Sequence, residues 1–320
     1  MEATLFEDPA CCWCWAFQPV ATIFAFELGT LVRIRHVMGG LRDRPVADAG
    51  FIMQQWKKAE AVSGMPFDAE IWKLPPLRTT FLACRSVKAA AMSDEQAAAR
   101  LLRRLQEAFC VEQVRIDELE MIFSLARDVG CDVEAMAENL ASGRAEALFA
   151  RDRSEAAQHG FGFPTLILRS GHQDAPIVLQ GTVPYDDILE ALASLGCPVR
   201  DRPRFHDTPE CWSKLFRIHP RLTFAEIQEV TGLDRQALAV RAKGMGIRQS
   251  GIFYEAPCPG GRERETRRPQ APAASPSPEA PDEPCPSCSV EEPAGLDGEK
   301  LVPGERPPET AASPLEASPE

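Results

Sequence analysis

No segment of this chain of 320 residues is both apolar and long enough to span a bilayer, and no Lys or Arg precedes its first apolar run. Met1–Asp8 carries acids where a secretory leader carries basic residues. Ala10–Phe26 imitates a leader core or a span, but Gln18 and Pro19 interrupt it and it falls short of the ~20 residues that a span needs. An internal repeat is also missing, which argues against a solenoid. Acidity spread along the whole chain is missing too. Of a formal charge of −12, residues 270–320 carry −9, with eleven acids against two bases. The excess therefore describes a tail and not a partner-binding surface. Eleven cysteines would fit a disulfide framework in a small secreted protein, but this chain is neither small nor led by a signal. The expectation is a protein of the reducing cytoplasm with no membrane role, most of its cysteines free thiols packed as small apolar groups.

Hydrophobic residues make up 44% of the chain, enough for a sizeable core. Thr4–Phe6 reads as a short strand, and a helix follows from the cysteine cluster to about Leu28. Leu31–Val37 alternates apolar and polar side chains, a strand signature that Gly39-Gly40 breaks. From Val46 to about His159 the pattern is helical almost throughout, with Ser93-Asp94-Glu95-Gln96 opening one helix and Gly130 and Gly143 closing others. Strands return at Thr165–Arg169 and Ile177–Gln180, and a helix from about Tyr185 to Leu195 follows. Strand, helix, strand, helical block, two strands and helix predict an α/β sheet of few strands with an all-helical insertion. From Pro257 on come fifteen of the 28 prolines, mixed with Ala, Ser and Glu. Such a segment buries too little apolar area to offset its ordering entropy and is expected to be disordered.

Asp8-Pro9-Ala10-Cys11-Cys12-Trp13-Cys14-Trp15 lies where the first strand gives way to the first helix. A C-x-x-C pair there puts the first sulfur at an exposed helix start, where free N–H groups favour a thiolate. The second sulfur follows one turn on, shielded but within bonding reach, which gives a nucleophile with a built-in resolving thiol. Half a zinc site is the competing reading, with Cys12 as a third sulfur, but nothing nearby supplies a second ligand pair. Pro19 is placed to kink the helix. Far along the chain, Gly162-Phe163-Pro164-Thr165 precedes the third strand, and an X-Pro bond there is compatible with the cis form.

The strings D-P-x-C-x-W-C-W, Gly39-Gly40-Leu41, Gly64-Met65-Pro66-Phe67 and G-F-P-T together resemble the DsbA-like family of disulfide oxidoreductases and isomerases, over about Thr4 to Gly196. The resemblance implies a thioredoxin fold. It makes Cys11 the attacking sulfur, Cys14 the resolving one and Pro164 a cis-proline facing the pair, with Phe163 before it. It implies no cofactor and no metal. Secreted members often hold a His between the cysteines. Here Cys12-Trp13 stands there, which implies a less oxidising pair. Trp15 is read as a core residue, and Trp13 as a partly exposed contact for the substrate polypeptide. His36 is read as a satisfied edge or core histidine, Cys12 as a bystander, and Cys84, Cys110, Cys131 and Cys197 as packing residues.

Phe224–Leu238 has helix-turn-helix spacing, with Gly232 at the turn. The unit from Asp201 to Ser250 carries nine bases against six acids, a balance that weighs against nucleic acid and favours a protein partner or a capping role. Cys285-Pro286-Ser287-Cys288, a second C-x-x-C, has no predicted element to present it and is read as chance or weak metal scavenging. The expected layout is a thioredoxin-fold domain over residues 1–198 with its helical insertion at about 46–160. A small helical unit over 199–255 and a Pro-rich acidic tail over 256–320 follow. The expected function is thiol–disulfide exchange or isomerisation on a disulfide-containing protein or small thiol substrate, recharged by a cellular thiol reductant. The alternatives are a glutathione-dependent isomerase or transferase of the same fold, or a redox-gated adaptor acting through the C-terminal unit.

Overall fold

The computed structural model describes residues 1–46, 48–160, 162–171 and 175–256. The tail expected after Pro257 and its Cys285/Cys288 pair lie outside them. Strand β1 (Glu2–Glu7) alternates its side chains, Ala3 and Leu5 toward one apolar cluster and Phe6 toward another. Both faces are covered, so this is a central strand. The chain then enters α1 (Cys12–Ala16) and α2 (Gln18–Leu28). The helix expected to run to about Leu28, with a kink at Pro19, is split at Phe17. Pro19, which has no N–H to donate, sits in the first turn of α2, where that lack does no harm. Strand β2 (Arg33–Met38) returns parallel to β1, with Val37 opposite Phe6.

The insertion comprises α3 (Ala49–Ser63), a 3-10 turn at Ala69–Lys73, α4 (Phe81–Ala91), α5 (Glu95–Val111), α6 (Leu119–Asp128), α7 (Val133–Ala141) and α8 (Arg144–Ala157). Asp48, Asp94 and Asp132 start α3, α5 and α7 by accepting hydrogen bonds from free backbone N–H groups. Its core is aromatic. Trp56 meets Trp72 and Phe109 edge-on at 5.4 and 5.6 Å, and Trp15 joins the same cluster from α1.

Strand β3 (Thr165–Arg169) runs antiparallel to β1, and β4 (Ile177–Gln180) antiparallel to β3, giving the order β2-β1-β3-β4. Helix α9 (Tyr185–Ser194) packs with α2 on the Ala3/Leu5 face. The chain continues through α10 (Pro209–Ile218), β5 (Arg221–Thr223), α11 (Phe224–Thr231), α12 (Arg235–Met245), β6 (Arg248–Ser250) and β7 (Phe253–Glu255). Helices α11 and α12 have the helix-turn-helix connection, and Gly232 ends α11 with φ of 71°. The small antiparallel sheet β5-β7-β6 is an addition to the expected helices. Strands of three residues are too short to show a period of two in sequence.

This last segment shares its core with the sheet domain. Trp212, Leu215, Ile227 and Leu238 lie in one apolar cluster with Phe24, Phe26 and Leu28 of α2. A buried polar contact reinforces it. The Glu226 carboxylate accepts from Arg103 Nη1 and Nη2 at 2.6 and 2.9 Å and from Thr22 Oγ1 at 3.1 Å. Among the described residues, no helix is long and apolar enough to cross a membrane.

Candidate functional site

Cys11 is the N-cap of α1. Its backbone N–H donates to Asp8 O and its carbonyl accepts from Trp15 N, both at 3.1 Å. The sulfur is not at the exposed position that a bare helix start would give, because Cys11 is only 4% exposed. The loop before β3 and the insertion meet around it, leaving access from a cavity of about 270 Å³ lined by Cys11, Trp13, Trp56, Trp72, Phe109 and Phe163. Helix α1 is also too short to supply much of a dipole. Cys14, one turn on and buried, is hydrogen-bonded to Cys11. Burial, then that hydrogen bond, then the negative charges of Cys11 and Glu7, hold the Cys14 thiol well above its ordinary range. The Cys12 thiol is pushed up to about 12, first by burial, and packs into the core of the insertion.

Opposite the pair, the Phe163–Pro164 peptide bond is cis, and Cys11 Sγ donates to the Phe163 carbonyl at 3.6 Å. The seat for Phe163 is made by Gly39. A β-carbon there would lie 1.9 Å from the Phe163 ring, so only a bare backbone lets the ring settle. Gly40 next to it has φ of 72°, and a β-carbon there would meet Phe149 and Phe81. The structure thus brings Cys11, Cys14, Phe163 and Pro164 together. Half-buried Trp13 lines the cavity beside them. Trp15 is fully buried, donating Nε1 to Pro66 O at 2.9 Å beneath the Arg103 guanidinium.

Two acids to which the sequence reading assigned no role frame the site. Asp8 is buried, and its carboxylate accepts from Ala10 N at 2.8 Å, Leu41 N and Thr80 Oγ1 at 2.7 Å, and Cys84 Sγ at 3.3 Å. Burial raises its pKa, and those four donors hold the rise in check. Its role is mechanical, because it ties the cysteine loop to the end of β2 and the start of α4. Glu7, also buried, is met by His36 Nδ1 at 2.6 Å and accepts from Gln106 Nε2 at 3.2 Å. His36 is therefore an edge histidine satisfied by an acid. The available signal was the pair of acids two residues before the C-x-x-C, which in isolation reads as a solvated strand end. Cys84, Cys110 and Cys197 are buried and Cys131 half-buried. Among the described residues, no group of three or more His, Cys, Asp or Glu is placed to hold a metal ion.

Comparison with known proteins agrees with this fold. The family model described as thioredoxin matches residues 4–190. A ClpXP adapter protein SpxH of Bacillus cereus is 28% identical over 212 residues, spanning 63% of this chain and 71% of that protein. Its Bacillus subtilis counterpart is 26% identical, over 68% and 74%. Among solved structures, a protein of Nitrosomonas europaea assigned as a protein disulfide isomerase superposes with a TM-score of 0.55 at 25% identity, over 60% of this chain and 96% of that one. The cytosolic disulfide reductase DsbM of Pseudomonas aeruginosa gives 0.52 at 24%, over 61% and 100%, a likeness of fold.

Proposed function

Starting from a chain that belongs to the thioredoxin family, we propose a cytoplasmic thiol–disulfide oxidoreductase in which Cys11 attacks and Cys14 resolves. The Cys11 thiolate attacks one sulfur of a substrate disulfide, forming a mixed disulfide and releasing the other half as a thiolate. Cys14, once deprotonated, attacks the Cys11 sulfur, forming the Cys11–Cys14 disulfide and releasing the second half. Two electrons pass from protein to substrate, and a cellular thiol reductant restores the dithiol. The observation that carries this reading is the meeting of Cys11 Sγ with the Phe163 carbonyl at 3.6 Å, between residues 152 apart, next to a cis-proline. The raised pKa of the Cys14 thiol supports its assignment as the second nucleophile, kept neutral while Cys11 reacts. Trp13 and Phe163 are assigned to flank the substrate. With no cation between the cysteines, the reading favours reduction or isomerisation over oxidation.

Cys11→Ser abolishes disulfide reduction, and Cys14→Ser accumulates mixed disulfides detectable by mass spectrometry. Full turnover by Cys11→Ser would sink the mechanism. A redox titration of the pair then sorts reductase from isomerase and oxidant.

The names of the SpxH relatives favour a second reading, in which the chain presents a protein to a protease and the cysteine pair senses redox state. Under it, α10–α12 would be the partner surface. Partner binding would change with oxidation while insulin reduction stayed at background.

A further inference from the structure

The cavity beside Cys11 is apolar on most of its walls, yet two of its hydrogen-bond donors lack acceptors among the described residues. Arg42 lines it, half-buried, and its guanidinium has no ion pair or hydrogen bond among the described residues. The backbone from which that cation extends is anchored at the cavity rim. Thr80 N donates to Arg42 O at 2.9 Å, Thr79 Oγ1 donates to the same oxygen at 2.9 Å, and Arg42 N donates to Thr80 Oγ1 at 3.2 Å. Neighbouring Arg44 is instead tied to Asp43. Trp72 is the second donor. It lines the same cavity, and its Nε1–H is buried without an acceptor among the described residues. A buried donor without a partner is unfavourable, and a bound acceptor relieves it. The ligand that satisfies this cavity has an apolar body for the walls and an anionic acceptor for the donors.

Building on the oxidoreductase reading, we propose that the cavity selects disulfides carrying an aromatic or branched apolar group and a carboxylate next to the sulfur that Cys11 attacks. Arg42 reads the carboxylate, and Trp56 and Phe109 receive the apolar body. The exchange is otherwise unchanged. Attack joins the selected half to Cys11 and expels the other half as a thiolate, and Cys14 then releases the selected half as a thiol. A small aromatic acid disulfide and a peptide cystine flanked by an aromatic and an acidic residue share this chemistry.

The test compares wild type and Arg42→Ala on dithiobis(nitrobenzoate), which is aromatic and anionic, and dithiodipyridine, which is aromatic and neutral. Each rate is divided by the rate with free glutathione to remove leaving-group effects. The preference for the anionic probe falls about tenfold or more in Arg42→Ala, as for loss of one charge-assisted hydrogen bond. Trp72→Phe lowers it several-fold. An unchanged preference in both variants overturns the site. A cystine peptide flanked by Phe and Asp, against one flanked by Ser and Asn, separates a peptide source from a small-molecule one. A second readout needs no turnover. Phenylpropionate slows iodoacetamide labelling of Cys11 in wild type where phenylpropanol does not, and Arg42→Ala loses this protection. Protection without disulfide turnover upholds the site and removes the oxidoreductase reading. Turnover with neither preference nor protection does the reverse.

Discussion

Gly39 is bare because an aromatic ring occupies the place of its β-carbon. Gly39→Ala puts a methyl 1.9 Å from the Phe163 ring, so the ring must leave and take the Phe163 carbonyl from Cys11. The overpacking costs about 1–3 kcal/mol, read as a lower urea midpoint. Turnover of a reference disulfide falls with it, by about tenfold if the mixed-disulfide geometry depends on that carbonyl. Gly39→Ala with Phe163→Leu regains much of the stability. A single variant as stable and active as wild type would show that the ring is not held there. The cysteine pair, the glycine pair and the proline were legible because each is a contiguous string. Asp8 was not. Its four donors come from the cysteine loop, the residue after Gly40, the N-cap of α4 and the body of α4, and no local pattern announces such a convergence.

The contact between α11 and α5 belongs to the scale of elements. Glu226 and Arg103 are both buried, and Glu226 is held below the usual glutamate range because the Arg103 charge and hydrogen bonds outweigh burial. Removing one partner strands the other. Glu226→Ala therefore costs about 3–5 kcal/mol in urea unfolding. The sign of the pH effect follows from the lowered native value. Below the ordinary 4.5, the unfolded chain binds the proton more readily than the native one, so the stabilisation is full above 4.5 and is lost as pH falls through the native value. Glu107, lowered by Arg221 and Arg103 against its own burial, adds to the same slope. Urea midpoints measured from about pH 6 to pH 3 drop more steeply for wild type than for Arg103→Met with Glu226→Leu. Equal slopes would mean that the pair carries no linkage. Helix-turn-helix spacing was visible in sequence, but the burial of Glu226 was not, since its partner lies 123 positions earlier.

At the scale of the whole molecule, the expected domain boundary at Pro198 and the limit of packing are different things. The apolar cluster under α2 draws Trp212, Leu215, Phe216, Ile227 and Leu238 from beyond that residue. A fragment ending at Pro198 would leave Phe24, Phe26 and Leu28 uncovered and Arg103 without Glu226. We expect it to aggregate, or to melt well below a fragment ending at Ala256, with light scattering and calorimetry as the measurements. A soluble, active fragment of the first 198 residues would instead show that the sheet domain needs no cover. The order of strands and helices up to α9 could be read from periodicity and glycine breaks. The small sheet could not, because its strands hold three residues each.

The pairing of β1 with β3, which sets Glu2 opposite Arg169, also has a meaning in time. A ribosome adds about 5–20 residues each second, so the first strand waits on the order of ten seconds for its antiparallel neighbour to be made. Throughout that interval Cys11, Cys12 and Cys14 are already synthesised, while the carbonyl that faces Cys11 does not yet exist. The reactive sulfurs are the oldest part of the site and the last to be enclosed. A nascent chain made in oxidising surroundings would meet them as three competing thiols before the fold had chosen between them.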